Sequence, residues 1–176
     1  MNTFELQSYL LDSINHKDFQ IGVLASDELK SVTYQHFCII VNSDPSNLPG
    51  QHWVCLLKRS KTIEFFDSFG KDIRFYGRNF EEFVQMHGGK VKYNFTQLQS
   101  NQSLLCGQYC LFFLIYRNLN VSFYNILNCF SQDFDANDTI VSTFFGKLKA
   151  QIKVNRNNKC RCKVRSLCIQ SNTFKI

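Results

Sequence analysis

His52-Trp-Val-Cys-Leu-Leu57, Lys58-Arg-Ser-Lys61 and Thr62-Ile-Glu-Phe-Phe-Asp67 form one continuous stretch: two short apolar runs on either side of a polar turn. Both runs are rich in branched and aromatic residues, so the stretch reads as a β-hairpin. A two-residue turn at Arg59-Ser60 would set His52 directly opposite Asp67, on one face of the sheet and within cross-strand reach. The carboxylate would then hold one imidazole nitrogen while the other faces a substrate. The plainer alternative is a pair of strand-end polar residues facing solvent.

Working outward from the hairpin, Gln35 to Val41 is a buried strand, and Asn42 to Gly50 is a loop punctuated by Asp44-Pro45 and Pro49-Gly50. Phe4 to Leu11 reads as a first helix, followed by a link containing Gly22 and a turn begun by Asp27-Glu28-Leu29. Downstream, Arg74 to His87 reads as a helix stopped by Gly88-Gly89, and Lys90 to Phe95 as a strand. Cys106 to Asn118 is the central helix, with further helices over Phe123 to Phe130 and Asp138 to Leu148. The order is α+β: a small mixed sheet packed between helices. At 176 residues, the chain suits a single domain over 1–176, with a basic C-terminal region over 147–176.

Cys106 falls at the first turn of the central helix. Exposed amides and the helix field stabilise a thiolate there, and a nearby imidazolium would do so further. Gly107 permits close approach of a substrate backbone. Trp53, beside His52, is a candidate cover for the imidazole or a substrate wall. In the polar run before Cys106, Gln97, Gln99 and Gln102 are all candidates to donate to a developing oxyanion, with the Cys106 amide as second donor. Cys110, one turn further in, should face the core.

Charge is uneven. Residues 1–138 carry 11 Lys/Arg against 14 Asp/Glu, whereas residues 139–176 carry nine Lys/Arg and no acid. Lys147, Lys149, Lys153, Arg156, Lys159, Arg161, Lys163 and Arg165 are therefore candidate contacts to nucleic-acid phosphates through non-specific attraction, against the alternative of a solvated basic helix and tail. The eight cysteines form no clear disulfide framework, and the expectation is mostly free thiols in an intracellular, non-secreted protein. Cys160-Arg-Cys162 and Cys168 match no usual zinc spacing, so no metal site is expected. No apolar run is long enough to span a bilayer, and no phosphate loop or dinucleotide fingerprint is present.

The chain resembles the adenovirus-type cysteine proteases, a group related to the ubiquitin-like-protein proteases. The resemblance rests on Ile21-Gly-Val23 with Asp27-Glu-Leu29, Val41-Asn42, Gly50-Gln-His52-Trp53, Phe66-Asp67-Ser-Phe-Gly70 and, most specifically, Leu98-Gln99-Ser-Asn-Gln-Ser-Leu-Leu-Cys106-Gly107-Gln-Tyr-Cys110. It implies a papain-like arrangement with His52 as base, Asp67 as its orienting acid, Cys106 as nucleophile at the N-terminus of the central helix, and Gln99 as oxyanion donor. It implies a cysteine endopeptidase acting as a monomer on precursor proteins of the capsid and core, often at glycine-containing sites. Location in a virion or host nucleus follows from the same resemblance, with DNA as activator through the basic tail and no other cofactor for the chemistry. Two features depart from the adenoviral enzyme. The acid is Asp67, as in the ubiquitin-like-protein branch, where the adenoviral enzyme has glutamate. No cysteine lies between Cys55 and Cys106, where that enzyme has the one that bonds its activating peptide, so a disulfide-linked activator is not expected. The alternative enzyme reading is a protease that removes ubiquitin or ubiquitin-like modifiers. A related acyltransferase would use the same thioester, and a silent DNA- or protein-binding module is the reading from another class.

Overall fold

The computed structural model describes residues 1–14 and 17–157. Helix α1 (Thr3–Ser13) starts on Asn2, whose side chain accepts the Glu5 amide while the Glu5 carboxylate accepts the Asn2 amide, a reciprocal cap that satisfies two orphan donors. Strands β1 (Gln20–Leu24), β2 (Phe37–Asn42), β3 (Trp53–Lys58), β4 (Ile63–Phe66) and β5 (Val91–Tyr93) form one sheet in that spatial order. The two outer pairings are parallel and the two inner ones antiparallel, so the sheet is mixed. Helices α2 (Arg78–Met86), α3 (Cys106–Asn118), α4 (Phe123–Leu127) and α5 (Phe134–Asn157) are the other α-helices among the described residues.

The strand alternation decides where each helix sits. Cys38, Ile40, Cys55, Leu57 and Phe66 point to one face, where they meet apolar residues of α1, α3 and α5 such as Leu6, Phe113 and Leu148. Phe37, Ile39, Val41, Val54, Leu56 and Phe65 point to the other face, where Phe80 and Phe83 of α2 cover them. Both faces of the sheet are thus buried, which is why β2 and β3 read as continuous apolar runs. The α+β expectation holds, with the sheet packed between helices.

Several boundaries differ from the sequence reading. The link containing Gly22 is strand β1, paired in parallel with β2 at the sheet edge. The helix expected over Arg74 to His87 is broken: Ile73–Tyr76 is a 3₁₀ turn, and Gly77, at φ +81° and ψ −165°, separates it from α2. No right-handed helix accommodates that conformation. Helix α4 is shorter than Phe123 to Phe130, and α5 longer than Asp138 to Leu148.

The hairpin register is also corrected. Lys58 pairs with Ile63 and Cys55 with Phe66, so Arg59–Thr62 form a four-residue turn in place of the two-residue one. The pairing slides by two residues, which preserves the faces because the side-chain period of a strand is two. His52 and Asp67 therefore meet diagonally, just beyond the last rung of the ladder, and not as a direct pair.

Candidate active site

His52 is placed by the end of β2. Its carbonyl accepts the Ser43 amide at 2.8 Å, and Gly50 two residues earlier is at φ +86°. A Cβ at Gly50 would meet the Asn42 side-chain amide, and the positive φ itself disfavours any other residue there. The imidazole Nε2 is 2.6 Å from Asp67 Oδ1. The ring lies 4.8 Å, centroid to centroid, from Phe69 and 6.1 Å from a nearly parallel Tyr76.

Asp67 is fully buried, just past the end of β4. Burial of an isolated carboxylate is costly, and here it is offset by hydrogen bonds. Oδ1 also accepts the Phe69 amide at 3.0 Å, while Oδ2 accepts the Lys71 amide at 2.8 Å and the Tyr76 hydroxyl at 2.9 Å. Asn94, itself buried, holds the Asp67 backbone from the far side. Its Oδ1 accepts the Asp67 amide at 3.1 Å and its Nδ2 donates to the Asp67 carbonyl at 2.6 Å. Gly70, at φ +67°, closes the turn against the 96–97 backbone, where a Cβ would come within 2.5 Å of the Thr96 carbonyl carbon.

Cys106 is the first residue of α3, following Leu105, which supplies no side-chain cap. An amide at that position has no acceptor within its own helix. With Nε2 on Asp67, Nδ1 is the imidazole nitrogen left for Cys106. Burial pushes the Cys106 thiol up, but the His52 hydrogen bond and charge, with backbone hydrogen bonds from Trp53 and Gly107, bring it below the ordinary thiol range. Burial pushes the His52 imidazole down, and hydrogen bonds and charges from Asp67 and Cys106 carry it up to about 9. Burial raises the Asp67 carboxyl, and the His52 hydrogen bond and charge with the Phe69 and Lys71 amides lower it overall. All three directions favour an imidazolium held between a carboxylate and a thiolate.

Gln99 is buried in the strap leading to α3. Its Oε1 accepts the Ser68 hydroxyl at 2.7 Å and its Nε2 donates to the Ser103 carbonyl at 2.7 Å. The Leu98 and Gln99 amides both donate to the Ser68 carbonyl, at 2.8 and 3.1 Å. Gln99 is thus fastened between the residue after Asp67 and the residue three before Cys106. Of its rivals, Gln97 donates to the Gln99 carbonyl and to Asn101 Oδ1, whereas Gln102 is exposed.

Trp53 is buried at the start of β3, and its carbonyl accepts the Cys110 thiol at 3.4 Å. The room made by Gly107 is taken up by the core: a Cβ there would lie 3.1 Å from Leu6 and 3.4 Å from Trp53. Cys110 is fully buried, and burial drives its thiol well above the ordinary range, so the two cysteines of this helix are polarised in opposite directions.

Among the basic candidates, Lys147, Lys149 and Lys153 are exposed on α5. Lys149 and Lys153, one turn apart, share a helix face, whereas Lys147 lies on a different one. Arg156 is in the last turn of α5, and Lys159, Arg161, Lys163 and Arg165 lie outside the described residues. Among the described residues, no group of three or more His, Cys, Asp or Glu could hold a metal ion, and no helix is long and apolar enough to cross a membrane.

Ser68, Tyr76 and Asn94 support the site without having been singled out from sequence. Ser68 was legible as the neighbour of the acid in Phe66-Asp67-Ser-Phe-Gly70. Tyr76 lay within an expected helix and Asn94 within an expected strand, where neither stands out.

No protein-family profile and no curated protein sequence matches the chain. Solved structures do. The chain is similar to the ASFV pS273R protease, with a TM-score of 0.54 at 17% identity over 77% of this chain and 63% of that one. It is also similar to ChlaDub1 from Chlamydia trachomatis, with a TM-score of 0.52 at 14% identity over 68% of this chain and 63% of that one. The chain therefore spans a little under two thirds of either protein. The chain shares the fold of these two proteins. That fold is shared broadly enough to include a viral protease and a bacterial protein, and it does not single out the adenovirus branch.

Proposed function

We propose that the chain is a thiol protease with Cys106 as nucleophile, His52 as general base and acid, Asp67 as its orienting carboxylate and Gln99 as oxyanion donor. The observation that carries the reading is the 2.6 Å pair of buried Asp67 and part-buried His52, with a thiol that His52 brings below its ordinary range on the first residue of a helix. Few structural needs explain a buried carboxylate aligned on a histidine that is aligned on a cysteine, and nucleophilic catalysis requires that order.

The Cys106 thiolate attacks the scissile carbonyl, forming a carbon–sulfur bond and placing the electron pair on the carbonyl oxygen. The Cys106 amide and the uncommitted N–H of Gln99 stabilise that oxyanion. The His52 imidazolium gives its proton to the departing amine, leaving a thioester. His52 then takes a proton from water as the hydroxyl attacks, and the collapse releases the acid and returns the thiolate. Asp67 holds the ring throughout and stays ionised.

For substrate, we favour structural precursor proteins of a virus or virus-like element, cut at glycine-containing sites. The fold shared with the ASFV protease supports this. DNA is the proposed activator, through the exposed Lys149–Lys153 face of α5 and the basic residues beyond it. Asp67 in the acid position favours a second reading, removal of ubiquitin-like modifiers, as in the branch that uses aspartate. The test is cleavage by the purified chain and by Cys106→Ala of three substrates: peptides with glycine at the cleaved bond, virion precursors and modifier conjugates, each with and without DNA. Glycine-site cleavage lost in the variant supports the protease, and DNA stimulation with preference for precursors supports maturation. Preference for conjugates moves the assignment to the second reading, and an inert wild type with an intact fold overturns both.

A further inference from the structure

We propose that Ser68 is the positioning residue for the Gln99 amide, and that it joins the acid turn and the oxyanion strap into one unit. This rests on the protease reading above. The orientation of Gln99 follows from donor and acceptor chemistry. The Ser103 carbonyl can only accept, so the group 2.7 Å from it must be Nε2. Oε1 then faces Ser68 Oγ at 2.7 Å, and the hydroxyl must donate. One N–H of Nε2 remains for an oxyanion. Both side chains are essentially closed to solvent, Ser68 at 0% and Gln99 at 1% exposure, so no water substitutes for the lost partner without rearrangement.

Ser68 acts a second time through its backbone. Its carbonyl accepts both the Leu98 and the Gln99 amides, and the preceding peptide group belongs to Asp67, held by Asn94. The carboxylate that orients His52 and the amide that meets the oxyanion are therefore set by adjacent residues. Replacing the hydroxyl leaves these backbone bonds in place and removes only the restraint on the amide plane.

The experiment compares wild type, Ser68→Ala, Ser68→Thr, Gln99→Ala and the Ser68→Ala/Gln99→Ala double variant, using peptides with glycine at the cleaved bond. A parallel arm measures alkylation of Cys106 by iodoacetamide across pH. Alkylation needs the thiolate but no oxyanion donor, so it separates the two functions. Ser68→Ala is expected to lower kcat roughly 10- to 100-fold, less than loss of an oxyanion donor itself, with KM little changed. Its alkylation profile should match wild type, Ser68→Thr should recover activity, and Ser68→Ala should cost nothing further once Gln99 is alanine. Wild-type kcat in Ser68→Ala overturns the inference. So does a loss that persists in the Gln99→Ala background, or one that falls on alkylation and turnover alike, because either marks a role in folding. A wild type that cleaves nothing overturns the protease reading and this inference together, whereas an active wild type with an equally active Ser68→Ala overturns only the inference.

Discussion

The two ends of α3 each face an acid from the region of β4, and the two pairings have opposite character. At the C-terminal end, Arg117 grips Glu64 with two hydrogen bonds of 2.6 and 2.7 Å, and both side chains are 16% exposed. At the N-terminal end, Asp67 is fully buried and grips His52, which faces Cys106 on the helix's first residue. Both ends suit the helix dipole, with a cation in the last turn and an incipient anion in the first. Arginine does not titrate in the working range, so its pair is a fastener. Histidine does, so the same acid–base motif becomes one through which a proton can move. The chemistry depends on which base meets the carboxylate and on what stands behind that base.

The sharpest way to break the contrast is to remove the group behind the base. Cys106→Ala is expected to abolish peptide cleavage while leaving circular dichroism, and the unfolding transition near pH 6.5, close to wild type, since Cys106 is only partly buried. Residual cleavage in that variant would remove Cys106 as nucleophile.

Asp67→Asn probes the next layer. It keeps the shape of the side chain and removes the charge that raises the imidazole, so His52 should titrate lower and Cys106 higher. Turnover should fall by roughly 10²–10⁴, the range of general acid–base assistance. Iodoacetamide alkylation should also shift its midpoint towards the ordinary thiol range. An unshifted alkylation profile would detach Asp67 from the thiol.

Arg117→Met, at the other end, should behave in reverse. It leaves Glu64 largely buried and unpaired and should cost about 2 kcal/mol by urea unfolding. Activity per folded molecule should stay at the wild-type level. A large drop in kcat without loss of stability would show that the two ends of the helix are not separable.

The same contrast explains what could be read before the fold was known. The hairpin, the stop at Gly88-Gly89 and the helix starting at Cys106 are local patterns, and they are legible because alternation, turn residues and helical runs act over a few positions. Strand β1 was not: Gln20–Leu24 gains its status from a parallel partner more than ten residues away, and Gly22 within it suggests a link. The break at Gly77 was missed because a single glycine fits many helices, and its φ is decided by packing around it. The hairpin register depended on a turn length that composition leaves open. It went astray by two residues, yet His52 and Asp67 stayed on one face because the slip was even. Of the four residues singled out for chemistry, His52 and Asp67 are joined directly, Gln99 is tied to the residue after Asp67 through Ser68, and Cys106 is coupled to His52 through charge. Their supports, Asn94 and Tyr76, were invisible because each is ordinary in its own segment and acquires meaning from Asp67.

Stability against pH separates the two ends most finely. His52, raised from 6.5 to about 9, contributes stability that is full below 6.5 and is lost as pH rises through about 9. Cys106, lowered from 9.0, contributes stability that is full above 9.0 and is lost as pH falls through its lowered value. Below about 9, and above both 6.5 and the lowered Cys106 value, the two therefore oppose: the folded pair holds one proton on the imidazole, and the unfolded pair holds one on the thiol. Stability changes with pH only where the numbers of bound protons differ, so this pair should contribute no slope there. Cys106→Ala removes the rising contribution and leaves an imidazole still raised by Asp67. Its stability relative to wild type should then decline across the window, by at most about 1.4 kcal/mol per pH unit. Arg117→Met should lower the whole curve, because it removes the clamp on Glu64 at the other end of the helix. Urea unfolding of the three proteins at half-unit steps measures this. A wild type that declines in parallel with Cys106→Ala would mean a protonated thiol beside the imidazolium, and two flat curves would mean an imidazole that Asp67 does not raise.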